Sequence, residues 1–172
     1  MASTLTLLGL VHTLLSVIAI VAGALTLWRQ GLIQWANRGG QLYVVMTALS
    51  CLTGLLIFRH GGFGPPHALA LITLITLAVG LGAERRRWFG AWSGYVAIVA
   101  MSTTFFFHSI PGFNETFTRL PLGAPWLSGP DDPLLGKLVG GAFVLLLIGL
   151  TLQLRRLRAR LRLGAALRGA AV

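Results

Sequence analysis

The chain has 172 residues, of which 55% are apolar and only 10% charged, and its mean hydropathy is +0.80. Four acids and fourteen bases cannot clothe a soluble domain, which runs nearer a quarter charged. Composition therefore excludes a soluble enzyme or DNA-binding domain and assigns the net charge of +10 to lipid and topology rather than to nucleic acid.

Five apolar stretches follow in order, at about Thr4 to Trp28, Gln41 to Phe58, His67 to Gly82, Ala91 to Ile110 and Leu134 to Leu154. A hydrocarbon core of about 30 Å takes about 20 helical residues to cross. The pattern predicts an all-α integral membrane protein, a bundle of five transmembrane helices. The third stretch is the shortest, and a hairpin dipping into the bilayer is its alternative. The first stretch imitates a signal peptide but has no Lys or Arg before it, and reads as a retained helix.

Basic residues set the orientation. With the N-terminus outside and the C-terminus inside, eleven bases (Arg29, Arg38, Arg85, Arg86, Arg87 and six in the tail) fall inside, and three (Arg59, Arg119, Lys137) fall outside. This points to a multi-pass protein of the bacterial inner membrane. Trp28, Trp35, Tyr43, Trp88, Trp92 and Tyr95 then form an inner aromatic belt, and all seven prolines fall in two outer loops. Residues 1–154 make the transmembrane domain. Residues 155–172 are a basic amphipathic tail, suited to continue the last span and lie on anionic headgroups. The outer loop Pro111 to Pro133 is long enough to be a docking surface. Gly90 and Gly94, and likewise Gly136 and Gly140, have the spacing of a close helix contact, which supports helix packing in general and points to no particular partner.

The four histidines carry the functional expectation. His12 lies 16 residues before Trp28, His60 17 after Tyr43, His67 17 before Glu84 and His108 16 after Trp92. At about 1.5 Å per residue all four sit about 24–26 Å from the inner interface, in one layer near the outer edge. A buried ionisable group must be paired or neutralised, which makes it a functional candidate, and histidine ligates both metals and haem. With no carboxylate in the spans and one cysteine, Cys51, the options are haem b on two histidines, or copper or zinc on three or four, set against packing histidines with no cofactor. Haem b suits the setting: Gly9, Gly54 and Phe105-Phe106-Phe107 offer a slot, and Arg59 and Arg119 offer cations for propionates. His12 with His67 or His108 are the favoured ligands. His60, between Arg59 and a Gly-Gly pair, is a wet interfacial residue or a further metal ligand.

His12, the run Arg38-Gly39-Gly40-Gln41-Leu42-Tyr43, Gly64-Pro65-Pro66-His67 with Leu69 and Leu71, and Arg86-Arg87-Trp88 with Tyr95 give a second pointer. Over roughly residues 10–115 the chain resembles an uncharacterised family of predicted bacterial membrane proteins, a domain of unknown function, distantly similar to cytochrome b561-like haem proteins. The resemblance implies histidines before the arginines of both inner loops, where this chain has Asn37 and Arg85 or Arg86. It therefore implies one outer-side site at most.

Two functions are expected. The first is a small redox subunit, not a self-contained enzyme, that binds haem b or another histidine-held metal and exchanges electrons with a quinone or a periplasmic partner. The alternative is a non-catalytic accessory or assembly subunit of a larger, respiratory-type membrane complex. A transporter is disfavoured, because five spans give no even inverted repeat.

Overall fold

A computed structural model describes residues 6–58 and 62–169. Five α-helices occupy most of them, and no strand occurs among the described residues: α1 (Leu7–Gln30), α2 (Arg38–Leu55), α3 (Pro65–Arg86), α4 (Ser93–Phe117, entered through a short 3-10 turn at Gly90–Trp92) and α5 (Pro133–Gly169). Four of them, all but α2, are long and apolar enough to cross a membrane, the architecture of a multi-pass helical membrane protein.

Local chemistry sets the ends. Thr6 Oγ1 accepts the Gly9 N–H at 3.2 Å and starts α1. Gly31, at φ 74°, ends α1 by donating its N–H to the Leu27 carbonyl, in a left-handed conformation that glycine adopts without steric cost. Asn37 Oδ1 accepts the Gly40 N–H at 2.7 Å to open α2. Pro65 stands in the first turn of α3, where its missing N–H is no loss.

Two boundaries differ from the hydropathy reading, those of α3 and α4. α3 is a continuous helix of 22 residues that extends the expected His67 to Gly82 stretch at both ends and leaves no room for the alternative, a dipping hairpin. Its last turn carries Glu84, whose carboxylate accepts the N–H groups of Trp35 (2.9 Å) and Ala36 (3.1 Å) and ties down the α1–α2 connection. α4 runs through Pro111 to Phe117, so Pro65, Pro66, Pro111 and Pro133 lie in helices rather than loops. One backbone bond lost at Pro111 costs less than unravelling a helix end whose other carbonyls have no water to turn to. As the leucines among the arginines predict, α5 continues without a break through position 154 into the basic tail.

α1 packs along α2, α2 on α3 and α3 on α4, while α1 also touches α4, so the first four helices close into a bundle. α5 lies outside it, against α4. The core is formed by Ala19, Ala22, Ile33, Tyr43, Val44, Leu77 and Met101. Small residues permit the close approach. A Cβ at Gly23 would stand 2.7 Å from Phe105 and 2.9 Å from Tyr43, and one at Gly80 would stand 3.1 Å from Met101. α2 turns hydroxyl groups towards α1 and α4, and these define the site.

Candidate functional site

Tyr43, Thr47, Ser50 and Gly54 are spaced i, i+4, i+7 and i+11, which places them on one face of α2. Each meets a partner from another helix. The Tyr43 hydroxyl and Thr104 Oγ1 are 2.8 Å apart. Thr47 Oγ1 lies 3.0 Å from His108 Nε2. The Ser50 and Ser16 hydroxyls are 2.6 Å apart, and the Ser50 carbonyl accepts from His12 Nδ1 at 2.9 Å. Gly54 gives the His12 imidazole room, since a Cβ there would stand 3.1 Å from its Cε1. Tyr43, Thr47 and Thr104 have no exposed surface, and Tyr43 meets His108 edge-on with ring centroids 6.0 Å apart. The result is a polar seam between α1, α2 and α4 that holds both His12 and His108.

These hydrogen bonds fix proton positions. A carbonyl only accepts, so His12 Nδ1 carries a proton, and in the neutral ring the lone pair is on Nε2. His67 is the reverse case. Its Nδ1 accepts the Gly64 N–H at 3.2 Å, capping its own helix, so in the neutral ring the proton is on Nε2 and points away. The His67 ring is sandwiched between Phe58 (4.8 Å) and Phe63 (5.3 Å), and Nε2 is buried without a partner.

Asn114 Oδ1 is the second orphan of this kind. Gly80 of α3 packs on Met101 of α4. His67 is 13 residues before Gly80 and Asn114 is 13 after Met101, so in these antiparallel helices a buried donor and a buried acceptor lie at the same level.

His12 and His108 therefore share the seam, while His67 is held by its own helix end and two phenylalanines. Among the described residues no group of three or more His, Cys, Asp or Glu side chains could hold a metal ion, so His12, His67 and His108 form no joint copper or zinc site. His60 and Arg59 lie outside the described residues. A haem on two axial imidazoles needs two free lone pairs facing across a flat slot. His67 has spent its lone pair on Gly64, His108 Nε2 is engaged by Thr47, and the side chains beside it are closely packed. Phe105 packs over Gly23 and, with Phe106, lines a crevice against α5 that no histidine lines. Arg119 is ion-paired with Glu115 one turn back on α4. The described residues do not fit a haem.

Counting residues places a side chain along a helix axis but not around it, and rotation about the axis decides whether rings meet. Tyr43, expected in an interfacial belt, is fully buried, whereas Trp28, Trp88 and Trp92 are exposed. The i, i+4, i+7 hydroxyl spacing on α2 was the signal that could have revealed the seam. Cys51 is a free, buried side chain.

Two cavities accompany the seam, and neither is lined by a histidine. A groove of about 350 Å³ lies between α3 and α4, beside Thr76 and Tyr95. A crevice of about 310 Å³ lies on α4 between α5 and Leu27 of α1. No protein-family model matches the chain, and no curated protein or solved structure matches it.

Proposed function

We propose that the chain is a non-catalytic subunit of a larger membrane complex, crossing the bacterial inner membrane five times with its N-terminus outside. It docks there through the outer end of α5 and the adjoining loop. The observation that carries this reading is the open side of α5. Only 6% of its most apolar 18-residue stretch is buried within the chain, against 22–39% for the three other apolar helices. Gly136 and Gly140 lie on that side, and a Cβ at either position would meet nothing within 4 Å.

Lipid gives a helix no reason to carry glycine, which costs about 1 kcal/mol against alanine. A second helix does, because small residues let two backbones approach closely. The connection leading into α5 adds an independent observation. It exposes the apolar side chains of Leu120, Leu122 and Trp126 at 48%, 87% and 61%, on the segment that leads into the glycine-bearing end of α5. Charge asymmetry supports the orientation, and the hydroxyl seam acts as the brace that keeps α1, α2 and α4 in register.

The test is the mass of the particle extracted in mild detergent, with its optical spectrum. The expected result is a stable particle well above 18.4 kDa containing a second, different membrane protein in fixed ratio, lost on Gly140→Leu without loss of helix content. A chain recovered alone, or only with copies of itself, refutes the proposal. A Soret band with stoichiometric iron that vanishes in His12→Ala replaces it with the electron-carrier reading.

A further inference from the structure

The crevice on α4 has a polar end and a long apolar remainder. Its floor runs from Ser102 through Phe106 to Phe113, eleven residues or about 16 Å of α4. Leu146 and Gln153 of α5 form one wall and Leu27 of α1 the other. Gln153 is a buried amide on an otherwise apolar helix face, and its Oε1 accepts the Ser102 hydroxyl at 2.8 Å. That bond leaves the two amide N–H donors of Gln153 for the crevice.

Both walls continue one turn further at the same end. Leu27 leads to Gly31, the left-handed cap of α1, and Gln153 leads to Arg156. These meet: the Arg156 guanidinium lies over Gly31, where a Cβ would stand 2.8 Å from Nη1. Arg156 is solvent-exposed, and among the described residues it has no carboxylate partner. A planar cation thus stands at the mouth, an amide donor one turn inside it, and an apolar channel below.

We infer that this crevice is a binding site for one anionic glycerophospholipid. The phosphate lies on Arg156, whose fork of donors suits phosphate oxygens. One ester carbonyl accepts from the Gln153 amide, and the attached acyl chain runs along Phe106 towards Phe113. Buried polar groups need partners where water is excluded, and a glycerol ester supplies an acceptor at the depth of Gln153. The glycines assigned above to a protein partner are turned about 90° and 130° round α5 from Leu146 and Gln153, so either site can fail without the other.

The test places the full chain in nanodiscs of equimolar phosphatidylglycerol and phosphatidylcholine, re-extracts it in mild detergent and counts retained lipids by native mass spectrometry. The wild type is expected to keep one phosphatidylglycerol. Arg156→Gln should lower its retention about tenfold, while Arg160→Gln, which removes an equal charge further along the tail, should leave it nearly unchanged. Gly149→Leu fills the crevice from a position where a Cβ meets nothing within 4 Å, and it should displace the lipid with Arg156 intact. Thermal melting of each variant verifies the fold. Equal effects of the two arginine changes, equal retention of phosphatidylcholine, or retention in folded Gly149→Leu overturns the inference. Recovery of an isoprenoid quinone in place of the phospholipid overturns it as well.

Discussion

Two glycines in helices give a matched test of how tightly the bundle is packed. Replacing either by alanine gains about 1 kcal/mol of helix propensity. At Gly149 the new methyl meets nothing within 4 Å, so Gly149→Ala should be stabilising by up to that amount. At Gly23 the methyl would stand 2.7 and 2.8 Å from two atoms of Phe105 and 2.9 Å from Tyr43. Tyr43 is fully enclosed and anchored to Thr104, so it cannot withdraw. Overpacking of this kind costs about 1–3 kcal/mol, which leaves Gly23→Ala destabilised by about 0–2 kcal/mol after the propensity gain. The two variants should therefore differ by about 1–3 kcal/mol, at roughly 2–4 °C per kcal/mol for a chain of this size. Thermal unfolding in mild detergent, followed by circular dichroism, reads the difference. Phe105→Leu should rescue Gly23→Ala and leave Gly149→Ala untouched, a coupling of at least about 0.5 kcal/mol. Equal melting temperatures for the two alanine variants would show that α1, α2 and α4 do not meet as described.

Glu84→Ala strips the acceptor from the Trp35 and Ala36 N–H groups. It should cost near the lower end of the roughly 1.5–3 kcal/mol typical of bonds to a charge, since water reaches Ala36. Red-shifted Trp35 emission and a lower Tm are expected, and an unchanged melt would count against this tie. Asn114→Leu removes a buried acceptor with no partner, so it should leave the Tm unchanged or raised; a fall of several degrees would mean that Oδ1 is satisfied after all. Asp132 is held below its ordinary value of 3.8 by the N–H groups of Ser128 and Leu134 and by the Ser128 hydroxyl. Because the folded value is the lower one, the order it gives the start of α5 is complete above about pH 4 and is lost as the pH falls through the depressed value. Limited proteolysis of the loop should accelerate only in that acid range, and Asp132→Asn should cleave at one rate throughout.

Spans were far more legible than the site. The apolar runs locate all five helices, four of them long and apolar enough to cross a membrane, and the helical continuation past Leu154 was readable from the leucines among the arginines. The end of α4 was misplaced because proline marks a helix boundary in water, where freed carbonyls are solvated. At Tyr43 the aromatic was placed by its depth, yet its hydroxyl partner Thr104 is 61 residues away in the chain. The histidines show the same limit: distance along an axis follows from counting residues, but the facing of each ring depends on neighbours that no local pattern encodes.

The unbroken α5 has a mechanical consequence. Its 37 residues make a rod of about 55 Å, far longer than a bilayer's hydrocarbon core is thick. With no hinge between the glycine-bearing end and the arginines, the rod pivots as one lever. A tilt of about 10° at Pro133 would sweep Arg168 through about 9 Å. Whatever grips one end of this shaft is felt at the other.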